Sequence, residues 1–208
     1  MIARVRTKIC GITSVHDALL AVDAGADAIG LVFYEPSPRF VSVPVAQDIC
    51  RSLPPFVSVV GLFVNHGRAA VREICAKVPL SLLQFHGAES ERDCLGFDMP
   101  YIKAIQVRDE TSVAKAESEF SSALGLLVDT YKAGVAGGTG ESFDWSLLPP
   151  NCSKPLVLAG GLNPQNVRNA IVQVNPYAVD VSGGVEQEKG IKDRDKLISF
   201  IKEVSSEC

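Results

Sequence analysis

Two side chains stand where chemistry is possible. The apolar run VRTKIC closes on Cys10, directly before a glycine, and the run LGLLVD stays apolar until it stops at Asp129. A thiolate can serve as a general base and a carboxyl as a general acid, so this pair suits proton transfer on a substrate held between them. An ordinary thiol has a pKa of about 8.5, so Cys10 needs cationic neighbours or amide donors to act as a base near neutrality. Asp129 could instead cap a helix, but Thr130, Tyr131 and Lys132 follow it without helical spacing. The stretch after them, AGVAGGTGESFDW, is long and built of small residues, as expected of a lid that closes over substrate.

Glycines supply a second kind of chemistry. Gly160 and Gly161 follow one late apolar run, and Ser182, Gly183 and Gly184 follow the last. Bare backbone lets several N–H groups approach a phosphate, and a helix start adds a favourable dipole. Neither pair alone exceeds an ordinary turn; their joint placement points to a small phosphorylated metabolite. No GxxxxGK[ST] or GxGxxG string is present to suggest a nucleotide. Arg39 sits in FYEPSPRFVS, where Pro36 and Pro38 stiffen the loop, and its planar fork suits a carboxylate or a phosphate. Gln84 and His86 share a face by period-two alternation and rank second as site residues; His16 and His66 read as surface groups. Lys8 and Asp180, each two residues before a strand end, are expected to form a buried ion pair near Cys10.

These residues are positioned by a repeating pattern. VRTKIC, AIGLVF, VSVVGLF, LSLLQF, YIKAIQV, LGLLVD, PLVLAG and YAVDVS each have the length and branching of a buried strand. Helical spacing intervenes, as in Val15, Leu19, Leu20 and Val22, or Val167, Ala170, Ile171 and Val174. Ser14 and Gly25 read as the caps of the first helix, and Asn163 with Pro164 as the opening of the one after the seventh strand. Alternating strands and helices imply a parallel sheet covered on its faces, and eight repeats favour closure into a minimal α/β barrel, (β/α)8, as one domain over residues 1–208. In such a barrel, strand C-termini form the catalytic rim, and the loops after strands seven and eight often bind phosphate.

Composition narrows the classes. A formal net charge of -4 offers no general attraction to nucleic acid or anionic lipid, so an anion site must be local. No run approaches the roughly 20 apolar residues of a membrane span, and MIARVRTKICG lacks the apolar core of a signal peptide. Cys50, Cys75, Cys94, Cys152 and Cys208 form no CxxC pair and read as buried or inert thiols, which fits an unprocessed cytoplasmic protein. Monomer and homodimer both stay open.

KICGIT, ADAIGLVFYEPSPR, GLFVN, LLQFHG, VDT, GGTGESFDW, LAGGLNPQNV and DVSGGVE, in this order over nearly the whole chain, resemble the phosphoribosylanthranilate isomerases. The resemblance implies a TIM barrel with Cys10 as general base and Asp129 as general acid in an Amadori rearrangement of N-(5-phosphoribosyl)anthranilate, a step of tryptophan synthesis. It implies that Arg39 holds the anthranilate carboxylate and that neither metal nor cofactor takes part. A histidine-pathway aminoaldose isomerase would resemble a carboxylate pair instead of using Cys10. A ribulose-phosphate epimerase would place several metal-binding histidines at strand ends, where only His86 stands. A phosphometabolite sensor would need no paired acid and base.

Overall fold

The structure is a computed structural model that describes residues 4–130, 144–149 and 151–206. Eight parallel strands close a barrel in sequence order: β1 (Arg6–Cys10), β2 (Ala28–Val32), β3 (Ser58–Phe63), β4 (Leu82–Phe85), β5 (Tyr101–Val107), β6 (Gly125–Thr130), β7 (Leu156–Leu158) and β8 (Ala178–Val181). Closure is made by β8 pairing back onto β1, with Lys8 in register with Asp180. Each strand occupies the run expected of it.

Parallel neighbours need crossovers, and outer-layer helices lie on them: α1 (Val15–Ala24), α2 (Val43–Ser52), α3 (Arg68–Lys77), a single turn α4 (Glu91–Cys94), α5 (Ser112–Glu119) and α6 (Val167–Val174), with α7 (Arg194–Ser205) following the last barrel strand. The Ser14 hydroxyl accepts the Asp17 amide at the start of α1, and Gly25 ends the helix at φ 110°. Asn163 accepts the Gln165 and Asn166 amides on its side chain and the Val167 amide on its carbonyl. Helical bonding therefore begins at Asn163, although the regular helix starts at Val167. The expected lid falls mostly on residues 131–143, outside the described residues; the described part of that connection holds a 3₁₀ turn at Trp145–Leu147. The short helix expected after β8 is likewise a single 3₁₀ turn, Gly183–Val185, leading into a hairpin of β9 (Glu186–Glu188) and β10 (Ile191–Lys192).

Period-two alternation sorts each strand between two cores. Ile9, Ile29, Leu31, Leu83, Phe85, Leu126, Val128, Leu158 and Val179 pack outward against the helices. The intervening positions face inward: Ile102, Ala104, Leu127, Val157, Ala159 and Ala178 form one interior cluster, and Cys10, Val32, Leu62 and Val64 another. The same parity turns Lys8, Gln84, Asp129 and Asp180 into the barrel, so a polar layer rests on an apolar plug.

Candidate active site

The inward residues at the strand C-termini share one cavity of about 500 Å³ with the loops after β2, β7 and β8. Cys10, Arg39, Gln84, His86, Asp129, Gly160, Gly161, Ser182, Gly183 and Gly184 all line it. Every expected site residue is thus gathered at one mouth.

Cys10 is packed into the apolar wall of Val32, Leu62 and Val64. Room for it is made on β2, because a methyl at Gly30 would lie 2.7 Å from its sulfur and 3.1 Å from Lys8 Nζ. Lys8 donates to Asp180 at 2.8 Å, both side chains being buried, as the sequence suggests. Burial pushes the Cys10 thiol above its ordinary value; the positive charges of Lys8 and Lys192 pull it down without overcoming that, and Asp180 adds to the rise. Burial also opposes the charge on Lys8, but Asp180 and Cys10 prevail and hold its ammonium above the usual lysine range. At neutral pH the thiol therefore keeps its proton. Of the remaining cysteines, Cys94 is buried and its thiol is pushed up to about 12 by desolvation, an inert group.

Across the mouth, Asp129 meets an imidazole and, through it, a side-chain amide. His86 Nε2 stands 3.2 Å from Asp129 Oδ2, and Gln84 Nε2 stands 2.9 Å from His86 Nδ1. With the Gln84 amide as donor, the ring proton sits on Nε2 and is donated to the carboxylate, which fixes the aim of Asp129. His86 thus touches the Asp129 carboxylate directly. His66, expected at the surface, is half-buried: its Nδ1 accepts the Val64 amide and its ring meets Phe63 edge-on.

Arg39 is already paired. Its Nε and Nη2 donate to Glu186 at 2.7 and 2.8 Å, and Lys192, whose side chain is 0% exposed, donates to the same carboxylate at 2.9 Å. Burial alone would raise the Glu186 pKa, but hydrogen bonding from Arg39 and the charge of Lys192 bring it below the ordinary carboxylate range. Lys192 is pulled down by its enclosure, which Glu186 only partly offsets. The two ends differ because the carboxylate has two cations and the ammonium one carboxylate. Glu186, Lys192 and Gly30 are absent from the sequence-based assignment. Glu186 is the last residue of the DVSGGVE segment, so its position carried a signal; Lys192 and Gly30 carried none.

The glycine loops have the features of an anion cradle. Gly160 and Gly161 adopt left-handed backbone, φ 82° and 64°, and their amides have no hydrogen-bond partner among the described residues. The Gly161 carbonyl is held by the side-chain amides of Asn163 and Asn166. A Cβ on Gly184 would collide with the Leu162 carbonyl, so the two loops can touch only because that residue is glycine. The Ser182 hydroxyl is buried without a partner among the described residues.

A larger cavity of about 850 Å³ adjoins, between the ends of β4 and β5 and helix α5, and shares Val64, His86 and Asp129 with the first. Its described lining contains neither Cys10 nor the glycine loops. The smaller cavity is the one in which the thiol of Cys10, the carboxylate of Asp129, the guanidinium of Arg39 and both glycine loops meet. Beside the larger one, Lys103 and Glu89 form a third buried pair at 3.2 Å. Glu89 also accepts the Asn65 and Gly87 amides, which ties down the loop that carries His86.

Residues 7–203 match the family model described as N-(5'phosphoribosyl)anthranilate (PRA) isomerase. A curated relative from Pseudomonas fluorescens (strain Pf0-1), named N-(5'-phosphoribosyl)anthranilate isomerase, is 60% identical over 200 residues, covering 96% of this chain and 98% of its own. The crystal structure of phosphoribosyl anthranilate isomerase from Thermotoga maritima superposes with a TM-score of 0.89 at 43% identity, over 97% of this chain and 99% of that one. A phosphoribosyl anthranilate isomerase solved in complex with reduced 1-(o-carboxyphenylamino)-1-deoxyribulose 5-phosphate gives a TM-score of 0.83 at 40% identity, with the same 97% and 99% coverage.

Proposed function

This chain belongs to the N-(5'-phosphoribosyl)anthranilate isomerase family, and from that premise we propose which of its residues carry each part of the reaction. The reaction is the isomerisation of N-(5'-phosphoribosyl)anthranilate to 1-(2-carboxyphenylamino)-1-deoxyribulose 5-phosphate in tryptophan biosynthesis. We assign Asp129 as general acid and Cys10 as general base. Arg39 receives the anthranilate carboxylate, while Gly160, Gly161 and the Ser182–Gly184 turn receive the phosphate. The setting we propose is the cytoplasm, in keeping with free thiols at Cys10, Cys50, Cys75, Cys94 and Cys152.

Asp129 gives its proton to the furanose ring oxygen as the bond from that oxygen to C1 breaks, and the nitrogen lone pair forms a C1=N double bond. The resulting iminium acidifies C2–H. The Cys10 thiolate takes that proton; the C–H electrons become a C1=C2 bond and the iminium electrons return to nitrogen. The enol then loses its hydroxyl proton as C1 gains one, which leaves the ketone. The substrate itself supplies the electron sink.

Burial favours the protonated thiol, so only a fraction of the molecules hold the thiolate that this step uses. Groups that lower the thiol pKa, Lys8 and Lys192 among them, enlarge that fraction.

One observation carries the proposal: Cys10 and Asp129 have inward parity on separate strands and line the same cavity as Arg39 and both glycine loops. The test is to mix purified protein with freshly made phosphoribosylanthranilate and a metal chelator and to follow the loss of substrate fluorescence. Rapid decay is expected. A rate equal to the protein-free blank would defeat the assignment.

A further inference from the structure

We propose that Glu186 and Lys192 are positioning residues that aim Arg39 at the substrate carboxylate and lock that clamp to the base and to the phosphate loop. This rests on the assignment of Arg39 above. A guanidinium presents a side edge, Nε with one Nη, and an end edge formed by the two Nη groups. Glu186 occupies the side edge through Nε and Nη2 at 2.7 and 2.8 Å, which leaves the end edge for a second carboxylate. Without it, a long side chain with several free torsions would have to be ordered by the substrate, at a cost in binding. Glycines shape the seat: a Cβ on Gly11 would collide with Arg39 Cδ, and one on Gly183 would come within 3.3 Å of Nη2.

Lys192 ties this edge to the rest of the site. Its ammonium donates to Glu186 Oε1 at 2.9 Å, to the Cys10 carbonyl at 2.7 Å and to the Ser182 carbonyl at 3.1 Å. Three N–H groups thus reach three elements: the end of β1 with the base, the turn after β8 with the phosphate cradle, and the residue that holds the clamp. The hairpin bearing it is fixed to α1, since the Lys192 amide donates to Asp17 at 3.0 Å. A knot serving stability alone would have no need to join these three elements.

The test is Glu186→Gln, which keeps size and one acceptor but removes the charge and the second acceptor. We expect KM for phosphoribosylanthranilate to rise about tenfold, the scale of one charge-assisted hydrogen bond. We expect kcat to change far less, and inhibition by inorganic phosphate to stay as it is. Lys192→Met should raise KM similarly and weaken phosphate inhibition as well, because it frees the Ser182 carbonyl. Since Glu186 acts through Arg39, the double variant Arg39→Ala with Glu186→Gln should bind no worse than Arg39→Ala alone. Additive losses, or an unchanged KM in Glu186→Gln while Arg39→Ala raises it, would overturn the positioning role and leave the clamp standing. An unchanged KM in Arg39→Ala would instead remove the clamp itself. Should Glu186→Gln fail to fold, Glu186→Asp, with the charge retained and the reach shortened, is expected to give an intermediate rise in KM; an unaltered KM there overturns the role equally.

Discussion

The two sides of the barrel mouth solve the same problem by opposite means. Around Cys10, on β1, β8 and the following hairpin, formal charges are enclosed in a pair and a triad: Lys8 with Asp180, and Glu186 with both Lys192 and Arg39. Around Asp129, on β4 and β6, a short chain from Gln84 to His86 reaches the carboxylate. A thiol in an apolar wall would hold its proton too tightly to act, so its surroundings need fixed positive charge. A carboxyl that must give up a proton needs aim more than charge. Among the described residues, charge acts directly on Cys10, whereas on the other side the buried Lys103–Glu89 pair acts at one remove, by holding the loop whose His86 aims Asp129.

Cys10→Ala and Asp129→Asn should each lower turnover by about 10² or more, with phosphate still bound and the fold intact. Near-normal turnover in either would mean that the side concerned has no chemical role. Next in size is the charged side's dependence on complete pairs. Asp180→Asn leaves an enclosed ammonium and should cost about 3 kcal/mol of folding stability by denaturant titration, whereas Lys8→Met with Asp180→Leu should recover most of it. No loss in the single variant would show that the pair is not enclosed. Beside Asp129, His86→Ala should reduce kcat about tenfold, the scale of one hydrogen bond, while KM and stability stay close to the parent's. A larger fall in stability than in kcat would recast His86 as packing.

The smallest effect concerns pH. The thiol faces Lys8 and Asp180 from inside the barrel, Lys192 from the hairpin and Arg39 from the loop after β2; burial dominates these and raises its pKa. The alkaline limb of kcat/KM should therefore lie above the usual cysteine range, and should move higher still in Lys8→Met with Asp180→Leu, where the larger, lowering influence of Lys8 is lost. The stability supplied by burying a neutral thiol is complete below the unfolded-chain pKa and declines as pH rises from there through the folded value. Thiolate absorbance in the ultraviolet measures the titration directly; a limb that stays put in the double variant would deny Lys8 its influence.

Much of this arrangement was legible beforehand, for physical reasons. A strand buried on both faces is apolar until the chain reaches the rim, so Cys10 and Asp129 announce themselves by ending such runs. Period-two parity gives the Lys8–Asp180 pair once barrel closure makes β1 and β8 neighbours. That Arg39, Glu186 and Lys192 meet was not legible, although the position of Glu186 in DVSGGVE carried a signal. Glu186 and Lys192 lie on strands too short to show a period, and the contact from Arg39 to Glu186 spans 147 residues. Nor does the role of Gly30 show in the sequence, since the space it leaves is defined by a sulfur and an ammonium on another strand.

The seam between β1 and β8 has a consequence for how the enzyme comes into being. Its central link joins residues 172 positions apart, and the tie from Lys192 to Cys10 spans 182. A nascent chain emerging from a ribosome thus carries Lys8, Arg39, His86 and Asp129 long before Asp180 and Lys192, which complete the surroundings of the thiol, exist. Activity is the last property acquired. A chain stalled before β8 would be inert and would also expose the unpaired backbone edges of β1 and β7, templates for association with other polypeptides. Competence for turnover and protection from aggregation are acquired in the same closing step.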